Sequence, residues 1–101
     1  MTDEPWFVYL LECRTRRVYT GVTPDLVNRM TLHRSGRGAA FTRINPPERV
    51  LGAKLFVNRS EAQKIEARIK RLPAAQKRFL AAEWSKQHPV DERAQEALTL
   101  G

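Results

Sequence analysis

The sequence predicts an α/β fold of the α+β sandwich kind: a small three-stranded sheet containing one antiparallel hairpin, flanked by helices in the order β-β-α-β-α-α. Three observations predict it. Residues 6–13 and 18–22 are rich in aromatic and branched side chains and flank a short polar connection, as a hairpin does. Two stretches with helical spacing of apolar residues follow, separated by a third strand-like run. A chain of 101 residues has apolar surface for one core and not for two.

In the first strand Trp6, Val8, Leu10 and Glu12 alternate with Phe7, Tyr9, Leu11 and Cys13, so the two sets take opposite faces. Residues 14–17 (RTRR) connect to Val18-Tyr19-Thr20-Gly21-Val22. Tyr9 and Tyr19 share a face only if opposed residue numbers sum to an even value, which needs an odd-length loop or a bulge. Thr23-Pro24-Asp25 then opens a helix, with the hydroxyl as N-cap and proline at the first helical position. It runs to about His33 and ends at Ser35-Gly36, where glycine supplies a left-handed cap. Residues 35–47 are punctuated by glycine and proline and read as a loop, and 49–57 read as the third strand. Ser60 with Gln63 reads as a capping box for a helix carrying Ala62, Ile65, Ile69 and Leu72 on one stripe. Pro73 stops that helix and starts the next, which carries Phe79, Leu80 and Trp84. Residues 1–84 are thus expected to form the domain and 85–101 a short, weakly ordered tail, mildly amphipathic and helical after Pro89 but weakly anchored.

Charge narrows the function. The first 84 residues hold 16 basic and 8 acidic side chains, an excess of +8 that suits a polyanion such as nucleic acid. Solubility alone also accounts for a net charge of about 2–8 in a small domain. No apolar run approaches the roughly 20 residues that span a bilayer, so no membrane partner is expected. The acidic start, residues 1–5 (MTDEP), does not read as a secretory signal. Cys13 is the only cysteine, which excludes an internal disulfide and makes a reducing cytoplasm the simplest location.

The residues that carry chemistry are two tyrosines on neighbouring strands, Arg29 and His33 one turn apart on a helix, and Glu66 on a later helix. Read singly, each has a plainer explanation. Glu66 is better read from spacing alone as half of an i,i+4 ion pair with Lys70, Arg29 as a solvated helix arginine, and the tyrosines as hairpin packing. Read together, they are the parts a metal-dependent phosphodiesterase needs.

Phe7-Val8-Tyr9 followed by Tyr19-Thr20-Gly21 resembles the paired motif that names the GIY-YIG nuclease superfamily. The likeness continues through Asn28-Arg29, His33, Gly36-Arg37-Gly38-Ala39, Thr42-Arg43 and Ala62-x-x-x-Glu66, and it resembles the small stand-alone bacterial (UPF0213-like) branch over about residues 5–80. Phe7 and Thr20 depart from the glycine and isoleucine of the family name, and Ala40 stands where a lysine is expected.

The resemblance implies a metal-dependent endonuclease with low sequence specificity, acting on nucleic acid, DNA ahead of RNA. A catalytic set of Tyr9, Tyr19, Arg29, His33 and Glu66 comes with it. Glu66 would hold Mg²⁺ or Mn²⁺, Arg29 would stabilise charge on the scissile phosphate, and His33 would orient water or phosphate. Tyr9 would activate water once cationic neighbours or metal favour its phenolate, with Tyr19 positioning water or phosphate. Arg37 and Arg43 would bind backbone beside the site, and Arg14 and Arg16 on the hairpin turn would add charge. The alternative is a non-catalytic nucleic-acid-binding module on the same fold. A domain this small has little surface for selectivity, so a partner protein is expected to supply it.

Overall fold

A computed structural model describes residues 4–99 of the chain. The acidic start expected at 1–5 therefore lies partly outside the described residues, as do the last two residues of the tail. The elements are β1 (Trp6–Cys13), β2 (Val18–Thr23), α1 (Leu26–Arg34), α2 (Ala40–Ile44), β3 (Pro47–Phe56), α3 (Arg59–Lys70), α4 (Ala74–Gln87) and α5 (Glu92–Thr99). The three strands form one antiparallel sheet in the order β2-β1-β3.

Opposed residues of β1 and β2 sum to 30, as in Tyr9↔Gly21 and Leu11↔Tyr19, so both tyrosines take the same face. The turn explains the parity. Cys13 and Arg17 close it through Cys13 N–H to Arg17 O at 2.9 Å, leaving three loop residues, 14–16. Arg16 holds the left-handed conformation, φ 67°, that such a three-residue loop requires. Glycine is the usual occupant, which is why the turn has no signature in the sequence.

The sheet divides two clusters. On the odd-numbered face Tyr9, Leu11, Val50 and Ala53 pack with Leu26 and Met30 of α1 and with Ala94 and Leu98 of α5. On the even-numbered face Val8, Leu10 and Val18 pack with Ala62 and Ile69 of α3 and Ala81 of α4. Gly52 permits the second packing: a Cβ there would lie 2.7 Å from the Ala81 carbonyl oxygen.

Four expectations change. The cap of α1 is Asp25 and not Thr23; its carboxylate accepts from the Asn28 N–H at 3.1 Å, while the Thr23 hydroxyl accepts from Asp25 N–H. The cap of α3 is Asn58, accepting from Glu61 N–H at 2.9 Å, so Ser60 and Gln63 lie inside the helix and form no capping box. Asparagine and aspartate accept as well at this position as the hydroxyls chosen from sequence.

The stretch read as a loop contains α2, a five-residue helix too short to show a periodicity.

The segment after His88 is helical as expected, helix α5, but the weak anchoring expected of it is not found. Ala94 and Leu98 are buried, and the Gln95 amide accepts from Val50 N–H at 2.6 Å and donates to Val50 O at 3.0 Å. Gln95 thus occupies backbone groups of an edge strand beside its bulge.

The end of α1 follows expectation. Gly36 has φ 78°, Gly36 N–H donates to His33 O and Arg37 N–H to Leu32 O, which is a Schellman closure.

Candidate active site beside the edge strand β2

Tyr9 lies in the central strand and Tyr19 in edge strand β2, with ring centroids 6.2 Å apart. Gly21 lies under both. A Cβ at this position would come within 2.5 Å of the Tyr9 hydroxyl and 2.9 Å of Tyr19 Cε2, so the glycine is required for space. His33, in the last turn of α1, meets both rings edge-on at 5.8 and 5.5 Å. Its Nε2 is hydrogen-bonded to the Tyr9 hydroxyl at 2.9 Å and its Nδ1 to Thr42 Oγ1 at 3.0 Å. Gly38 gives the imidazole its place, since a Cβ there would lie 2.8 Å from Cε1. Phe41 stacks on Tyr19 at 5.8 Å.

Arg29 and Glu66 reach this cluster electrostatically. Burial pushes the Tyr9 phenol well above its usual value; Tyr19 and Glu66 add to the rise and Arg29 opposes it. Tyr19 is also raised, again by burial first, with Lys70 and Arg29 opposing and Glu66 adding. The sequence expectation that cations would favour a phenolate has the right sign for Arg29, but desolvation is larger in the free protein. His33 is lowered to about 4, by burial and then by Arg29.

Glu66 keeps 18% of its side chain exposed and lies 3.4 Å from Lys70 Nζ. The rim carboxylate and the i,i+4 ion pair, read as rivals in the sequence, are therefore the same residue in one state. Among the described residues no group of three or more His, Cys, Asp or Glu side chains is arranged to hold a metal.

Two basic clefts flank the cluster. One, about 260 Å³, is lined by Tyr19, Phe41, Lys70 and Lys77 among others. The other, about 400 Å³, has His33 and Thr42 in its lining together with Arg14, Arg34 and Arg43. Arg14 and Arg43 thus share a cleft with His33 and Thr42. Arg16 is not among them: it lines a groove with Glu12, Glu48 and Arg78, and its carbonyl accepts from Arg78. The same Arg78 makes a two-point contact with Glu12, at 3.2 and 2.8 Å, which fastens α4 to the hairpin and holds the Glu12 carboxyl below its usual range. Arg37 is exposed just past the end of α1. Sequence reasoning missed Phe41 and Lys77, and it quoted Thr42 in the motif without a role. Phe41 and Thr42 gain their positions from α2, which has no periodic signal, and Lys77 from the tertiary approach of α4.

Residues 5–79 match the family model of the GIY-YIG catalytic domain. The chain is 46% identical over 88 residues to a UPF0213 protein of Cupriavidus necator, covering 87% of this chain and 96% of that one. It is 51% identical over 75 residues to a UPF0213 protein of Nitratidesulfovibrio vulgaris, covering 74% and 68%. Among solved structures it is similar to the solution NMR structure of a UPF0213 protein from Bacillus halodurans, at 33% identity, TM-score 0.49, and 94% and 98% coverage. The chain therefore belongs to the GIY-YIG nuclease family, among its small UPF0213 members.

Proposed function

We propose that this chain is a divalent-metal-dependent endonuclease that hydrolyses phosphodiester bonds in nucleic acid, with DNA ahead of RNA and low intrinsic sequence specificity. The observation that carries the proposal is the convergence of Tyr9, Tyr19 and His33 in one contact cluster, with Arg29 and Glu66 acting electrostatically on both phenols. A cytoplasmic location and a partner protein that supplies selectivity complete the reading.

In this mechanism the Arg29 guanidinium pairs with non-bridging phosphate oxygens and stabilises the charge that builds there. Tyr9 takes a proton from the attacking water as it passes its own to His33 Nε2, across the existing 2.9 Å hydrogen bond. Bound phosphate favours this transfer, because it neutralises Arg29, one of the two causes that depress His33. Tyr19, less buried than Tyr9, orients water or phosphate at the cleft that also holds Lys70 and Lys77. Arg14, Arg37 and Arg43 add salt-sensitive backbone affinity.

Glu66 fits a Mg²⁺ or Mn²⁺ ligand. One carboxylate at a partly open position suits an ion that keeps several waters and takes its remaining ligands from substrate phosphate. Its pairing with exposed Lys70 is of a kind worth only about 0.3–0.5 kcal/mol, so it is easily given up. When bound, the ion supplies Lewis-acid charge near the phosphate or leaving oxygen.

A non-catalytic binding module is the second reading, favoured by one observation: in the free protein burial takes both Tyr9 and His33 away from neutral pH, opposite to the poise of a general base. The two readings part on a panel of single-stranded, duplex and branched DNA and RNA, with Mg²⁺, Mn²⁺ or EDTA. Metal-dependent cutting by wild type that Glu66→Gln abolishes, with binding retained, supports the nuclease. Salt-sensitive binding by both proteins without cutting leaves the binding module.

A further inference from the structure

We infer that Thr42 is a positioning residue for this site: its hydroxyl holds His33 in the tautomer that carries hydrogen on Nδ1, leaving Nε2 to accept from Tyr9. The consequence for cutting rests on the phosphodiesterase reading above, whereas the tautomer rests on hydrogen-bond geometry and the burial of the ring.

The number of hydrogens available decides the tautomer. Thr42 Oγ1 donates to the carbonyl of Ala39, the N-cap residue of α2, at 2.8 Å. A hydroxyl has one hydrogen, so Oγ1 faces His33 Nδ1 at 3.0 Å with a lone pair, and Nδ1 must supply the hydrogen between them. A neutral imidazole then has its lone pair on Nε2, and neutral is the form that burial and Arg29 impose at pH 7. The bond at 2.9 Å therefore runs from the Tyr9 hydroxyl to Nε2. Thr42 and His33 are both 3% exposed, so water does not compete for either ring nitrogen.

Orientation is what this achieves. With the Tyr9 hydrogen directed at His33, the phenol oxygen keeps its lone pairs as acceptors. One serves its hydrogen bond with the Tyr19 hydroxyl. The other is left for a proton from a water that substrate binding would have to bring to this buried ring. In the opposite tautomer Nε2–H would occupy a lone pair and the phenol hydrogen would point elsewhere, so Tyr9 could not pass a proton to the ring. Thr42 acts through His33 and touches neither water nor phosphate in this scheme. The pattern matches buried histidines generally, where the partner of one ring nitrogen decides the role of the other.

The test is ¹⁵N NMR of the His33 ring in wild type, Thr42→Val and Thr42→Ser, with cutting rates measured in parallel. The wild type and Thr42→Ser are expected to carry hydrogen on Nδ1. Thr42→Val, which keeps shape and loses the buried acceptor, is expected to move it to Nε2. Cutting should fall on the order of 10–100-fold in Thr42→Val and recover in Thr42→Ser. Hydrogen on Nε2 in the wild type, or an unchanged Nδ1–H tautomer in Thr42→Val, would overturn the inference. Should Thr42→Val fail to fold, the wild-type spectrum decides alone. A wild type that cuts no substrate sinks the nuclease reading and leaves the ring nitrogens still to be read.

Discussion

The two faces of the sheet are made by the same strands yet do different work. On the even-numbered face Val8, Leu10 and Val18 meet Ala62, Ile69 and Ala81 in a nearly apolar contact. On the odd-numbered face the same strands bury a phenol, and α1 and α2 bring a histidine and a threonine to it in a closed set of hydrogen bonds. The difference shows how a small domain can place reactive groups in its interior. Alternation lets one face carry stability while its neighbour accepts polar burial, which is tolerated there because the partners are supplied. The even face has one blemish of the reverse kind: Thr20 Oγ1 is buried without a hydrogen-bond partner.

Two glycines offer the sharpest way to break the comparison. Gly52→Ala would drive a Cβ into the backbone oxygen of Ala81, which cannot swing away as a side chain can. It is expected to lower stability by about 3 kcal/mol, at the upper end of overpacking, while the folded fraction still cuts. Gly21→Ala meets side chains instead, the Tyr9 hydroxyl and Tyr19 ring. Its expected cost is on the order of 1 kcal/mol in stability but about a hundredfold in cutting, because both phenols are displaced. Urea melts beside single-turnover rates check both. Equal losses of activity per folded molecule would erase the distinction between the faces.

Acid tests the odd face next. His33 stays neutral in the folded protein down to about pH 4, whereas an unfolded histidine takes a proton near 6.5. Its contribution to stability is therefore complete above about pH 6.5 and is lost as pH falls to about 4, by roughly 3 kcal/mol. Denaturant melts across that window should show the loss in wild type and a correspondingly flatter profile in His33→Asn. Identical pH profiles would mean that His33 is already accessible to protons when folded. The smallest effect is on the even face. Thr20→Val exchanges an unpaired buried hydroxyl for a methyl and should stabilise the protein by about 1 kcal/mol; a lower Tm would show that the hydroxyl has a partner in solution.

These contrasts also mark what was legible in the sequence. Alternation in 6–13 placed the residues of β1 on their faces, and the tyrosines met the parity condition that the sequence could state but not decide. Arg16 decides it, in a backbone conformation that arginine does not advertise. Tyr9 and Tyr19 meet over Gly21 and His33 contacts both rings, while Arg16 lines a separate groove with Glu12 and Arg78. Thr42 was quoted in a motif without a role, since its partner His33 is nine residues away and the contact depends on a helix of five residues. Long-range packing accounts equally for α5: nothing near Gln95 in sequence indicates that it will pair with Val50.

The most direct test uses neighbours in the chain that face opposite ways, Val8→Ala and Tyr9→Phe, measured for stability and for Mg²⁺-dependent cutting. Val8→Ala is expected to lose about 2 kcal/mol of stability and to cut normally while folded. Tyr9→Phe keeps the ring in the core but leaves His33 Nε2 without its partner, so it should lose about 1–3 kcal/mol of stability, stay folded and lose cutting. Cutting that survives in Tyr9→Phe, or that falls equally in both, would contradict a catalytic odd-numbered face.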